Sequence, residues 1–302
     1  MTNNISKQSI IKMSLPIFVE VFLQMLVSNV DQFMISRYSQ DSVGAIGNGV
    51  QVMNIIIILL TVMSTATTIL IAQYLGAKNQ EKISETCAVS LLINGVFSLV
   101  ASILLLLFNR ELFVWLQVPT EILAETCTYL RIISYGILFQ GLYFSFVACF
   151  RGYSLMKVTM GVSIVMNLFN ILGNWILIYG FWIIPPMGVA GVAISTNISK
   201  ILGLIIIFIL FKKYLGIKIS KQHLFPLPWN LIKRMLSISI PTGGEALSYQ
   251  LSQTTIMKMV NVFGLVVINT KVYVYIIVMF AYMYSLAISA AMQIVVGYLV
   301  GA

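Results

Sequence analysis

The apolar run from Met13 to Ile35 contains Glu20, Gln24, Asn29 and Asp31. The run can cross a bilayer, since ~20 residues rising about 1.5 Å each cover ~30 Å of hydrocarbon. A carboxylate inside a spanning helix is costly, so it faces a bundle interior or a watery cavity and marks a path for ions or substrate. Spacing supports that placement. Glu20, Gln24 and Asp31 follow one another at intervals of four and seven, which at about 100° per residue puts all three on one helical face. A second stripe comes later, where Ser163, Asn167, Asn170 and Asn174 are spaced by four, three and four. It too occupies one face.

Counting at about 1.5 Å per residue raises Asp31 ~25 Å above the membrane edge at which its span begins. Asn170 and Asn174, in a later rising segment, and Thr196, in a descending one, reach a similar level. A carboxylate, two amide oxygens and a hydroxyl at one depth have the chemistry to hold a hard cation such as Na+ through oxygen. The carboxylate could equally carry a proton, because burial disfavours its charged form. Matching depth does not by itself bring side chains into contact. Asn167, Ser195 and Ser199 also suit a role as glue between membrane helices.

Further charges lie within apolar segments. Glu20 is ~9 Å from the edge where its span begins, so it is either a cavity-lining residue or a paired, snorkelling one. Lys200 and Lys258 either snorkel or neutralise a carboxylate. Cys87, Cys127 and Cys149 are odd in number, far apart and without CxxC spacing, so they indicate neither a disulfide framework nor a zinc site. His223, beside Lys221, reads as a solvated loop residue.

The elements that must position these groups follow from composition. Of the 302 residues 59% are hydrophobic and 9% charged, with mean hydropathy +0.97, against about 25% charged in soluble domains. A soluble fold would have no polar surface to present, so the chain is expected to be an all-α, polytopic membrane helical bundle. The N-terminus lacks a separate apolar core with a small-residue cleavage site, and no removable signal peptide is expected. A net charge of +9 invites a nucleic-acid partner, but the basic residues sit in short loops between apolar runs. Spans are expected near 14–36, 47–74, 86–108, 127–150, 158–181, 189–211, 236–261 and 272–297. With the N-terminus inside, twelve loop and helix-end basic residues are cytoplasmic against four outside, namely Arg37, Arg110, Arg131 and Lys271. The bias makes the N-terminus cytoplasmic. Residues 109–125 are too broken for a span and read as an amphipathic interfacial piece, with Trp115 at headgroup level.

Residues 212–234, basic and holding Pro226 and Pro228 but no acid, read as a cytoplasmic linker between two halves, 1–211 and 235–302. The halves are related. A shift of 225 positions lays Ser14-Leu15-Pro16 on Ser239-Ile240-Pro241, Glu20 on Glu245, Ser64 on Ser289, and Gly76-Ala77 on Gly301-Ala302. Glu245 therefore joins Glu20 as a candidate lining residue of a central cavity. Parallel repeats about an axis along the membrane normal suggest a transporter with its site between or within two bundles. The second repeat stops at the counterpart of Ala77. The expected architecture is thus a complete six-helix N-lobe plus the first two helices of a C-lobe, eight helices of a twelve-helix design, unable alone to catalyse coupled export.

These residues resemble the multidrug and toxic compound extrusion (MATE) transporters from about Ser9 to Ala302. The resemblance is carried by Leu15-Pro16 with Asp31 fifteen residues on, and by AQYLGAKNQEK. It continues through Tyr129-Leu130-Arg131, Phe150-Arg151-Gly152, NLFNILGNWILIYG, the segment from Pro186 to Ala193, and Ile240-Pro241. It implies a V-shaped pair of six-helix lobes in the cell membrane, monomeric at full length and without a cofactor. It also implies export of amphipathic organic cations in exchange for H+ or Na+. The family's N-lobe cation site falls on Asp31, Asn170, Asn174 and Thr196. Many members carry Asp where this chain has Asn174, which leaves Asp31 as the principal coupling carboxylate. A flippase for lipid-linked sugars would share the repeats and lined cavity, and would favour cationic groups such as Lys200, Lys258 and Arg131 facing it. An intramembrane enzyme would need a set such as HExxH, GxSxG or paired aspartates, which the chain lacks.

Overall fold

The computed structural model describes the backbone of residues 7–116, 118–217, 224, 227–261 and 265–302. Side chains are described over the same residues except at 7–12, 24–29, 32, 40, 41, 250, 251, 253–255, 257–261, 265–277 and 279–281. Gln24, His223 and Lys258 thus lie outside the described side chains. The described elements are helical: α1 (Lys7–Ser36), α2 (Gln40–Gly76), α3 (Gln80–Leu107), α4 (Asn109–Trp115), α5 (Thr120–Gly152), α6 (Met156–Tyr179), α7 (Gly188–Tyr214), α8 (Trp229–Asn261) and α9 (Leu265–Gly301). Helix is what hydrocarbon demands, because it satisfies backbone polar groups within the segment. Among the described residues, six stretches in α2, α3, α5, α6, α7 and α9 are long and apolar enough to span. The protein is a multi-pass membrane bundle.

Short polar segments set the turns. Between α2 and α3 the backbone closes with Asn79 N–H on the Tyr74 carbonyl at 2.9 Å, and Lys78 takes φ +56°. The Asn79 side chain then caps α3 by accepting from the Lys82 N–H at 3.0 Å. Most of the AQYLGAKNQEK segment is thus one helix end, one left-handed turn and one cap. Between α6 and α7, Gly180 (φ +80°) opens a turn closed by a bridge from Phe181 to Ile184.

Several bounds differ from expectation. Helix α2 starts at Gln40, capped by Ser39, rather than near 47. Its glycine-rich first turns lower hydropathy, yet Gly49 is needed, since a β-carbon there would run into the Tyr129 ring. Only 109–115 of the supposed interfacial piece stands apart as α4; Pro119 starts α5, and residues 120–126 belong to it. Glu125 made that stretch look like surface, but it accepts a 2.8 Å hydrogen bond from Ser42 and ties α5 to α2. The expected linker is also shorter, because Lys212 and Lys213 finish α7 while Lys233 and Arg234 lie on α8.

Helix α5 is the central post. Two thirds (67%) of its most apolar window is buried, against 28–39% in the other spans, because it packs on α2, α3 and α7. Cys87 and Cys149, 62 positions apart, meet between α3 and α5 with sulfurs 2.8 Å apart and both buried. Sequence distance concealed that contact. Helices α8 and α9 dock on α1 and α2 through two apolar clusters. There the repeat becomes visible in space. A β-carbon on Gly76 would meet the Tyr298 carbonyl, and one on Gly301 would meet that of Gln73. A shift of 225 exchanges these two contacts, the mark of a two-fold-like crossing.

Candidate functional site

Helix α1 carries Asp31 toward α6, where the Asn174 amide Nδ2 donates to Asp31 Oδ1. One turn closer to the end of the bundle that holds Lys78, Arg151 and Lys212, hereafter the basic end, Asn170 Nδ2 donates to Thr196 Oγ1 at 3.3 Å. The α6–α7 approach that allows this depends on absent side chains. A β-carbon on Gly173 would strike Ser195 Oγ, and one on Gly191 would come within 2.6 Å of the Leu177 carbonyl. Ser195 in turn donates to the Asn170 carbonyl at 2.9 Å. The four residues matched in depth are therefore two hydrogen-bonded pairs on three helices.

Two atoms are left over. Among the described residues, Asn170 Oδ1 and Asn174 Oδ1 are buried without a hydrogen-bond partner. A buried carbonyl oxygen without a partner costs about 1–3 kcal/mol. Together with the Asp31 carboxylate and the Thr196 hydroxyl, these oxygens form an all-oxygen set suited to a hard monovalent cation or, at Asp31 alone, a proton.

Asp31, Asn170 and Thr196 line a cavity of about 270 Å³ whose wall also includes Glu20, Asn167, Gln140 and Lys200. Toward the basic end Glu20 is paired rather than free. Its Oε2 lies 3.0 Å from an Arg151 guanidinium nitrogen and accepts from Thr159 Oγ1 at 3.2 Å. Arg151, counted by sequence as one more cytoplasmic charge, is thus turned into the bundle. Its place within Phe150-Arg151-Gly152, close to the end of an apolar helix, was the available signal. Thr159 gave none. Lys200 lines the cavity one turn below Thr196. Glu245 is exposed on α8 and does not line this cavity.

Comparison with known proteins agrees with this architecture. Over 293 residues the chain is 34% identical to the "Uncharacterized transporter YisQ" of Bacillus subtilis (strain 168), covering 97% of this chain and 64% of that protein. It is 27% identical over 240 residues to a "Probable multidrug resistance protein NorM" of Thermotoga maritima, covering 79% and 51% respectively. Among solved structures, one described as MATE in complex with MaD5 superposes with a TM-score of 0.90 at 22% identity, over 98% of this chain and 66% of the other. An outward-facing multidrug resistance MATE transporter gives 0.87 at 22% identity with the same coverage. This chain spans 51–66% of the length of these relatives. The sequence pattern of the MatE family matches residues 16–176, from the proline that precedes Glu20 to just past Asn174, and the chain is a member of that family of transporters.

Proposed function

We propose that the Asp31, Asn170, Asn174 and Thr196 cluster is the coupling-ion site of an antiporter that exports amphipathic organic cations in exchange for Na+ or H+. The observation that carries this reading is the buried Asn174 amide, which donates to Asp31 and leaves its own oxygen without a partner among the described residues, as does Asn170 one turn away. Either ion fits: the oxygens would coordinate Na+, and a protonated Asp31 would donate to the Asn174 amide oxygen after that amide turns over. The remaining frame is that read from the sequence: a cell-membrane protein with its N-terminus cytoplasmic, an N-lobe to about 211 and a C-lobe from about 235, monomeric at full length. Its substrates are small organic cations drawn to the same carboxylate.

Ion occupancy exchanges with substrate by charge. When Asp31 is neutralised by its ion, a cation in the cavity loses its counter-charge and leaves; when the ion leaves, the carboxylate again attracts a cation. The purified protein in nanodiscs should unfold at higher temperature in NaCl than in choline chloride, by up to about 2.7 kcal/mol at a hundredfold excess over the dissociation constant. Asp31→Asn should remove the difference. A response to pH but not to Na+ would assign the site to a proton. Asp31→Asn behaving as wild type toward both ions would overturn the reading, as would wild-type gradient-driven export by that variant in vesicles.

A further inference from the structure

The cavity holds two charges that form no salt bridge among the described residues. Among the described residues the ion pairs are Lys82–Glu85, outside it, and Arg151–Glu20, at its basic end. Glu20 is therefore matched, and the wall retains Asp31 as an acid and Lys200 as a base. Their separation follows from the two hydrogen-bonded pairs. Asn174, at the level of Asp31, is one turn above Asn170, and Asn170 is level with Thr196, which is one turn above Lys200. Two turns are ~12 Å along the membrane normal. The lysine stem shortens the gap without closing it, and neither Asp31 nor Glu20 forms a salt bridge with Lys200. Between the two levels the wall carries neutral groups, Asn167, Asn170 and Thr196.

A ligand bearing only positive charge would satisfy Asp31 and be repelled by Lys200. A ligand bearing only negative charge would meet the reverse. We infer that Lys200 is an anion subsite, and that this cavity selects zwitterions whose ammonium lies at Asp31 and whose singly charged anionic group, a carboxylate or a phosphodiester, lies at Lys200. Charge complementarity discriminates between ligands chiefly by penalising the wrong sign. Lys200 is thus a specificity residue. The inference rests on the proposed function only in taking this cavity as the substrate path, and it deepens that reading by adding an anionic group, held at Lys200, to the cationic group held at Asp31.

The test uses the purified protein in nanodiscs and three probes: 6-aminohexanoate, its methyl ester, which lacks the negative charge, and glycerophosphoethanolamine. Binding is measured by saturation-transfer NMR and calorimetry for wild type, K200M, K200R and D31N. Wild type should bind at least one zwitterion about tenfold more tightly than the ester, the equivalent of one well-placed charge pair. K200M should erase that preference while binding the ester as well as or better than wild type, and K200R should keep it. Whichever zwitterion shows the lysine-dependent preference identifies the anion as carboxylate or phosphodiester. A preference that survives in K200M overturns the inference. So does a wild type with no preference, including one that binds no probe. Loss of the Na+ effect belongs to Asp31 and is read separately by the unfolding comparison, so the two proposals can fail independently.

Discussion

Glu20 and Glu245 occupy the same place in the two repeats, each four residues after the proline of its first helix. Their surroundings have little in common. Glu20 is buried, faces Arg151 at 3.0 Å and lines the cavity with Thr159 hydrogen-bonded to it. Glu245 is exposed on α8. The difference lies in the neighbours. Glu20 is enclosed by α5 and α6, which supply its arginine and threonine; a shift of 225 carries those two helices past Ala302, so within these residues α8 packs chiefly against α2. An internal repeat conserves a residue's position along its own helix. Its electrostatic state is set by helices from elsewhere in the chain.

The largest test of that contrast is Arg151→Met. It strands the Glu20 carboxylate in a buried site and should cost about 3–5 kcal/mol in unfolding measurements in detergent. Adding Glu20→Gln to that variant should restore much of the loss. A double variant no more stable than Arg151→Met would show that the arginine acts through packing alone. Next in size is the crossing where the repeats do share a structure. Gly301→Val drives a side chain into the Gln73 carbonyl and should destabilise by about 1–3 kcal/mol, with Gly76→Val behaving alike. Unequal effects at the two glycines would break the pseudo-symmetry.

Arg234→Ala removes exposed bonds from α8 to Gln73 (2.8 Å) and Tyr74 (3.2 Å). A loss below about 1 kcal/mol is expected, with little dependence on salt because both partners are neutral. Smallest of all, Glu245→Gln should leave unfolding within about 0.5 kcal/mol of wild type, while Glu20→Gln alone leaves Arg151 unmatched and does not. Equal sensitivity at the two glutamates would mean that Glu245 has acquired a buried partner.

Fold class was legible in the sequence because membrane insertion leaves few alternatives. Long apolar segments must be helices, and their number, order and basic bias can be counted from residues alone. The 225-residue register was legible for a similar reason, since proline, glutamate and Gly-Ala recur without a gap. Depth, too, is a local quantity. One helix rises uniformly, so counting brings Asp31, Asn170, Asn174 and Thr196 to within about a turn of one another, while the side-chain pairing divides them into two levels. Rotation and pairing are not local. Whether Asn174 turns toward Asp31, whether Gly173 admits Ser195, and whether Arg151 points inward or to the membrane surface depend on which helices pack together and how closely. The distant Cys87–Cys149 contact, the unpartnered amide oxygens and the isolation of Lys200 belong to the same class. Each is a relation between side chains tens or more than a hundred residues apart, and only the packing of helix on helix decides it.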